Sequence, residues 1–211
     1  MDTESALVEA LNRTLFGWLA AGYSPQPLLL IAARLIAEYG VDIVPLVLLA
    51  VWFRRPSCRD NAVAASIAGG LALAASEVIA AITAHPRPFM VGLSPMYVPH
   101  DVEGSFPSAH TSLMLAVAAT LLRVQGTRAG GALLAGLALL TGWARVYLGL
   151  HFPMDIAGSV AVAALTSAPL RGDYRWVAWL RRQVERVVPF GTRATPAITG
   201  KGSAERETVG K

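Results

Sequence analysis

Five apolar stretches, at 26–53, 61–84, 108–122, 129–148 and 153–170, follow one another with only short polar breaks. With 54% hydrophobic and 15% charged residues, this chain of 211 is far from the balance of a water-soluble domain. A bilayer is the solvent that accepts such a surface. No stretch alternates apolar and polar residues long enough to build a barrel, so the backbone must satisfy itself in helices. The fold expected is all-α, a polytopic transmembrane helix bundle of about five to six spans.

Several stretches fall short of the roughly 20 residues of a straight span, so their ends should extend into the loops. The first is interrupted by Arg34, Glu38, Asp42 and Pro45, and reads as either one long kinked span or a bent pair. Ahead of it, residues 5–20 are amphipathic and either lie in the interface or insert as a further helix. The acidic start "MDTESALVEALNR" lacks the basic region of a signal peptide and is expected to stay in place. The organisation expected is an N-terminal interfacial helix within 1–25, a membrane domain over 26–170, an interfacial amphipathic helix over 171–189 and a disordered cytoplasmic tail over 190–211.

The net charge of +4 is a topology signal rather than a nucleic-acid patch, because of where the charges lie. Fourteen of the eighteen Lys and Arg residues fall in "RRPSCR" (54–59), in "RVQGTR" (123–128) and after residue 170. Basic segments alternating with apolar runs mark cytoplasmic loops. Segments 85–107 and 149–152 then face outside together, and the arginine-rich "YRWVAWLRRQVERVV" lies on the anionic inner leaflet. The single cysteine, Cys58, excludes an internal disulfide.

All four histidines, His85, His100, His110 and His151, sit in or beside the two outer segments. Arg87, Arg145 and Asp155 accompany them, and ionisable groups at membrane depth are costly enough to be functional as a rule. In "SFPSAHTS" (105–112), Pro107 and Ser108 form a helix start with Ser108 as N-cap. The free N–H groups near Ala109 and His110 then make an anion site, although the stretch taken alone is also a plain cap. In "WARVYLGLHFPMDIAG" (143–158), His151 and Asp155 stand four apart and can share a helix face, with the carboxylate holding Nδ1–H and leaving Nε2 bare. In "HPRPFMVG" (85–92), two prolines stiffen the chain around Arg87, and a rigid guanidinium suits phosphate. The apolar "FMVGLSPMYV" (89–98) either covers a lipid chain or is an ordinary interfacial loop. No clustered carboxylates or cysteines suggest a metal, so no metal or cofactor is expected.

Taken in order, these three pieces resemble the phosphatidic acid phosphatase type 2 superfamily. Arg87-Pro88 matches the end of its first motif, Pro107-Ser108-Ala109-His110 its second, and Arg145, His151 and Asp155 its third in identity and spacing. The resemblance implies a metal-independent phosphatase in which His151 attacks phosphorus, Asp155 orients it and His110 protonates the leaving oxygen. Arg87, Arg145 and Ser108 would hold the phosphoryl oxygens. Two positions depart: Ala80 stands where the family has lysine, and Ala144 where it has serine. His85 is the alternative donor, and Glu77, buried in the same span, is a weaker candidate. The wording is most similar to the bacitracin-resistance branch, which implies undecaprenyl diphosphate, a polyprenyl diphosphate lipid, as substrate and the periplasmic face of a bacterial inner membrane as the setting. A phosphatase or phosphotransferase for another lipid, and a non-catalytic lipid-phosphate binder, are the alternatives.

Overall fold

A computed structural model describes residues 3–100, 104–170 and 175–187, and the tail over 190–211 lies outside them. Among the described residues the chain is all-helical: α1 (Thr3–Leu19), α2 (Pro27–Tyr39), α3 (Ile43–Arg54), α4 (Arg59–Thr83), α5 (Ala109–Leu121), α6 (Arg128–Tyr147), α7 (Pro153–Ser167) and α8 (Arg175–Val187). Four segments are long and apolar enough to cross a membrane: Pro27–Arg54, Pro56–Thr83, Gln125–Tyr147 and Pro153–Leu170. Their outward faces carry exposed apolar side chains such as Leu28, Leu46, Ile82 and Leu165, as lipid contact requires. This is a multi-pass membrane protein.

The first apolar stretch is one long kinked span. α2 and α3 meet at a 3₁₀ turn over Gly40–Asp42, just before Pro45, which has no N–H to give to the Val41 carbonyl of a continuous helix. α5 occupies the centre and packs on α4, α6 and α7. Here the expected extension into the loops fails: α5 has 13 residues and rises only about 20 Å. Enclosed by three neighbours, it is not required to match the full bilayer thickness. Val117 of α5 approaches Gly69 of α4 so closely that a Cβ at position 69 would stand 2.7 Å from Val117 Cγ2. The small residues thus set the spacing of the bundle.

α8 is bound to the start of α4. Arg181 Nε reaches Asp60 Oδ1 at 2.6 Å, and Glu185 accepts from both Arg181 and Arg59. At the other end, α1 lies over α6 and α7, with Phe16 edge-on to Phe152 at 5.4 Å. In the segment 89–98, Phe89, Tyr97 and Val98 pack inward on α2 and α6, while Met90, Val91 and Met96 are exposed.

Candidate active site

α6 ends in a Schellman motif that aims the chain at the site. Gly149 has φ +74°, its N–H bonds to the Val146 carbonyl, and the Leu150 N–H bonds to the Arg145 carbonyl. Only a residue without Cβ suits that conformation, and the turn delivers Leu150 and His151 across the helix end. α7 then starts with Phe152 as N-cap and Pro153 at its first position. Asp155 in the first turn folds back to accept the Phe152 N–H at 2.8 Å.

His151 and Asp155 therefore do not share a helix face, because His151 precedes α7 by two residues. They meet through the cap. Asp155 Oδ2 lies 3.4 Å from His151 Nδ1, and both side chains are buried. The closer partner of Nδ1 is the Ser105 carbonyl, at 2.8 Å. That carbonyl was invisible in the sequence, since a backbone acceptor has no residue signature.

A carbonyl only accepts, so Nδ1 carries the proton and Nε2 is left with its lone pair. Arg87 Nη1 donates toward that Nε2 from 3.4 Å. The same guanidinium is held by the Leu150 carbonyl at 3.1 Å and the Gly104 carbonyl at 3.2 Å. Burial pulls the His151 pKa down to about 3, with the charges of Arg145 and Arg87 adding to it and Asp155 opposing. The imidazole is neutral and available as a nucleophile.

Nε2 looks into a cavity of about 60 Å³ whose walls include Arg87, Arg145, His110, His100, Ala80 and Glu77, with Ala109 and Pro107 at the start of α5. His110 is thus brought to the same space as His151, behind the first-turn N–H groups of α5. Arg145 donates to the Ala37 carbonyl at 3.3 Å and to His100 Nε2 at 2.9 Å. Its Nε is buried with no hydrogen-bond partner among the described residues. A buried guanidinium N–H without a partner is costly, and such groups call for an explanation.

Two expected contributors, Ser108 and His85, stand outside the cavity wall. Ser108 is the N-cap by position, but its hydroxyl makes no cap bond and pairs with Thr111 Oγ1 at 3.0 Å. His85 is not in the cavity wall; its Nδ1 pairs with Ser105 Oγ at 3.0 Å and its Nε2 lies 3.9 Å from Glu9. Glu77, expected to be buried, is exposed and borders the cavity one turn below Ala80, whose short side chain leaves that space open. His100, which carried no role in the sequence reading, joins the wall.

A bundle of membrane helices that gathers three imidazoles and two buried guanidiniums around one small cavity has the makings of a membrane phosphatase. A family model confirms the class: the chain belongs to the PAP2 superfamily, matched over residues 61–181. It is a lipid phosphatase of that superfamily. It is 34% identical over 131 residues to Undecaprenyl-diphosphatase BcrC of Bacillus subtilis, covering 62% of this chain and 67% of that one. To the Putative undecaprenyl-diphosphatase YbjG of Escherichia coli it is 29% identical over 155 residues, 73% of this chain and 78% of the other. Among solved structures, LpxE of Aquifex aeolicus superposes with a TM-score of 0.61 at 24% identity, covering 76% of this chain and 94% of that one. The PAP2 type phosphatidylglycerolphosphate phosphatase of Bacillus subtilis gives 0.58 at 18%, covering 86% and 88%. Both show a shared fold.

Proposed function

We propose that this protein hydrolyses undecaprenyl diphosphate to the monophosphate at the periplasmic face of a bacterial inner membrane, through a phosphohistidine on His151. The observation that carries the reading is the bare Nε2 of His151, faced by Arg87 at 3.4 Å inside a cavity that also holds His110 and Arg145. The names borne by the relatives at 34% and 29% identity support the lipid.

In the first step Nε2 of His151 bonds to the terminal phosphorus while the bridging P–O bond breaks. The electron pair goes to the bridging oxygen, which takes a proton from His110 and departs as the lipid monophosphate. Arg87, Arg145 and the first N–H groups of α5 hold the charge spread over the phosphoryl oxygens. The imidazolium that forms on His151 is matched by the Asp155 carboxylate and by the Ser105 carbonyl on Nδ1–H. Water then attacks phosphorus, His110 takes its proton, the P–Nε2 bond breaks with its electron pair returning to His151, and inorganic phosphate leaves.

The orientation follows from charge. Arg54, Arg55 and Arg59 cluster at the start of α4, whereas Ala80 of the cavity wall lies near its end, about 30 Å along a helix of this length. With the arginine-rich end in the cytoplasm, the cavity opens to the periplasm at headgroup depth. The catalytic unit falls within 26–170, with α1 laid on its outer end and α8 on the inner leaflet.

The test is phosphate release from undecaprenyl diphosphate by the detergent-purified protein with a chelator present. Two arginines in the wall repel a metal ion, so turnover should survive the chelator and vanish in His151→Ala. Release of phosphate from other lipid phosphates but not from this one would overturn the substrate assignment. No release from any lipid phosphate would leave a binding role.

A further inference from the structure

The cavity that holds His151 is small, about 60 Å³, and it adjoins a second, more open one of about 380 Å³. Three residues, His100, His110 and Arg145, belong to both walls. His151 and Arg87 belong only to the first, and Glu38 and Tyr39 only to the second. Resting on the proposed hydrolysis of a diphosphate lipid, this division fixes where each half of the substrate sits. The terminal phosphorus must reach Nε2 of His151 in the small chamber. The bridging oxygen must reach His110, on the shared wall, so everything beyond that oxygen projects into the second chamber.

We propose that His100, together with the outer arm of Arg145, forms a subsite for the leaving phosphate and makes the enzyme prefer lipid diphosphates over lipid monophosphates. His100 Nε2 accepts from Arg145 Nη2 at 2.9 Å, where an anionic oxygen would be the stronger acceptor. The half-buried imidazole stands in the place that the leaving phosphate takes, and a phosphate there meets the guanidinium and the displaced imidazole together. Glu38 opposes an anion in this chamber, but it is exposed at the rim, where solvent screens it. Val98, Pro99 and Leu150 give the chamber an apolar side along which the lipid chain can leave. A monophosphate ester fills the first chamber equally well and places only carbon in the second, so it gains nothing from His100.

The test compares wild type, His100→Ala and His100→Gln in detergent micelles with farnesyl diphosphate and farnesyl monophosphate as substrates. Binding of farnesyl methylenediphosphonate and farnesyl phosphonate, which cannot be hydrolysed, is measured alongside. In His100→Ala the diphosphate kcat/KM should fall about tenfold further than the monophosphate kcat/KM, with the same relative loss in binding of the two phosphonates. His100→Gln keeps an acceptor for Arg145, so it should recover the loss common to both substrates and leave the preference weakened. Equal losses on both substrates, or none on either, would overturn the subsite and reduce His100 to a support for Arg145. Wild type that binds the diphosphonate in preference, dependent on His100, yet hydrolyses neither ester would overturn the activity and keep the subsite. Hydrolysis of the diphosphate with no dependence on His100 would do the reverse.

Discussion

Nη1 of Arg87 stands 3.4 Å from Nε2 of His151, the one cationic side chain directed at the lone pair of the other. A guanidinium there can only donate, so it favours an unprotonated Nε2, and in the proposed mechanism it also holds a phosphoryl oxygen. The two carbonyls that hold Arg87, of Leu150 and Gly104, come from two different segments of the chain. Arg87→Lys loses the fork that spans them. It should lower kcat/KM by about a hundredfold, with most of the loss in kcat, measured as phosphate release.

Asp155 serves two hydrogen-bonding tasks, on Phe152 N–H and near His151 Nδ1. Asp155→Asn keeps an acceptor for the cap but loses the charge that balances the imidazolium. A fall of about a thousandfold in kcat with a melting temperature within a few degrees of wild type is expected. Equal loss of stability and activity would show that the carboxylate acts only as a cap.

His85 touches the chemistry through Ser105: its ring pairs with the Ser105 hydroxyl, while the Ser105 carbonyl holds His151. His85→Ala should lower kcat by about tenfold without changing KM, because His151 loses its preferred orientation rather than a substrate contact. His85→Asn, which can still meet the Ser105 hydroxyl, should restore most of the rate.

Stability should depend on pH through His151. Its folded pKa of about 3 lies below its ordinary value of 6.5, so the unfolded chain binds the extra proton. The contribution is fully present above pH 6.5 and is lost as the pH falls toward 3, at up to about 1.4 kcal/mol per pH unit. The melting temperature should therefore decline below pH 6.5, and His151→Gln should flatten that decline. The acid limb of kcat/KM should also lie below pH 5, since the free nucleophile is still neutral there.

α8 is expected to contribute little through its charges. Arg181 and Asp60 are 26% and 51% exposed, so Arg181→Ala should cost no more than about 1 kcal/mol in thermal unfolding. Phosphate release should be unchanged, since the pair sits at the opposite end of α4 from the cavity.

The membrane bundle and the gathering of His110, Arg145, His151 and Arg87 on one face were legible in the sequence. Apolar run length and arginine placement are properties of composition along the chain, and a bilayer reads them directly. The tertiary structure alone decided how the groups meet. The i, i+4 spacing of His151 and Asp155 pointed to a helix face, yet the Gly149 turn put His151 outside α7 and joined the pair through a cap. The carbonyls of Ser105, Gly104 and Leu150 orient the two central side chains, and no residue type announces a carbonyl. Ser108 carried the signature of a helix cap, but its hydroxyl pairs with that of Thr111 one turn on. His100 stood ten residues before His110 and outside every motif, and only the path of the outer segment over α2 and α6 brought it to Arg145. Spacing along a chain reports neighbours on the same element. Contacts between elements depend on where turns release the backbone, and there the physical choice was made by packing.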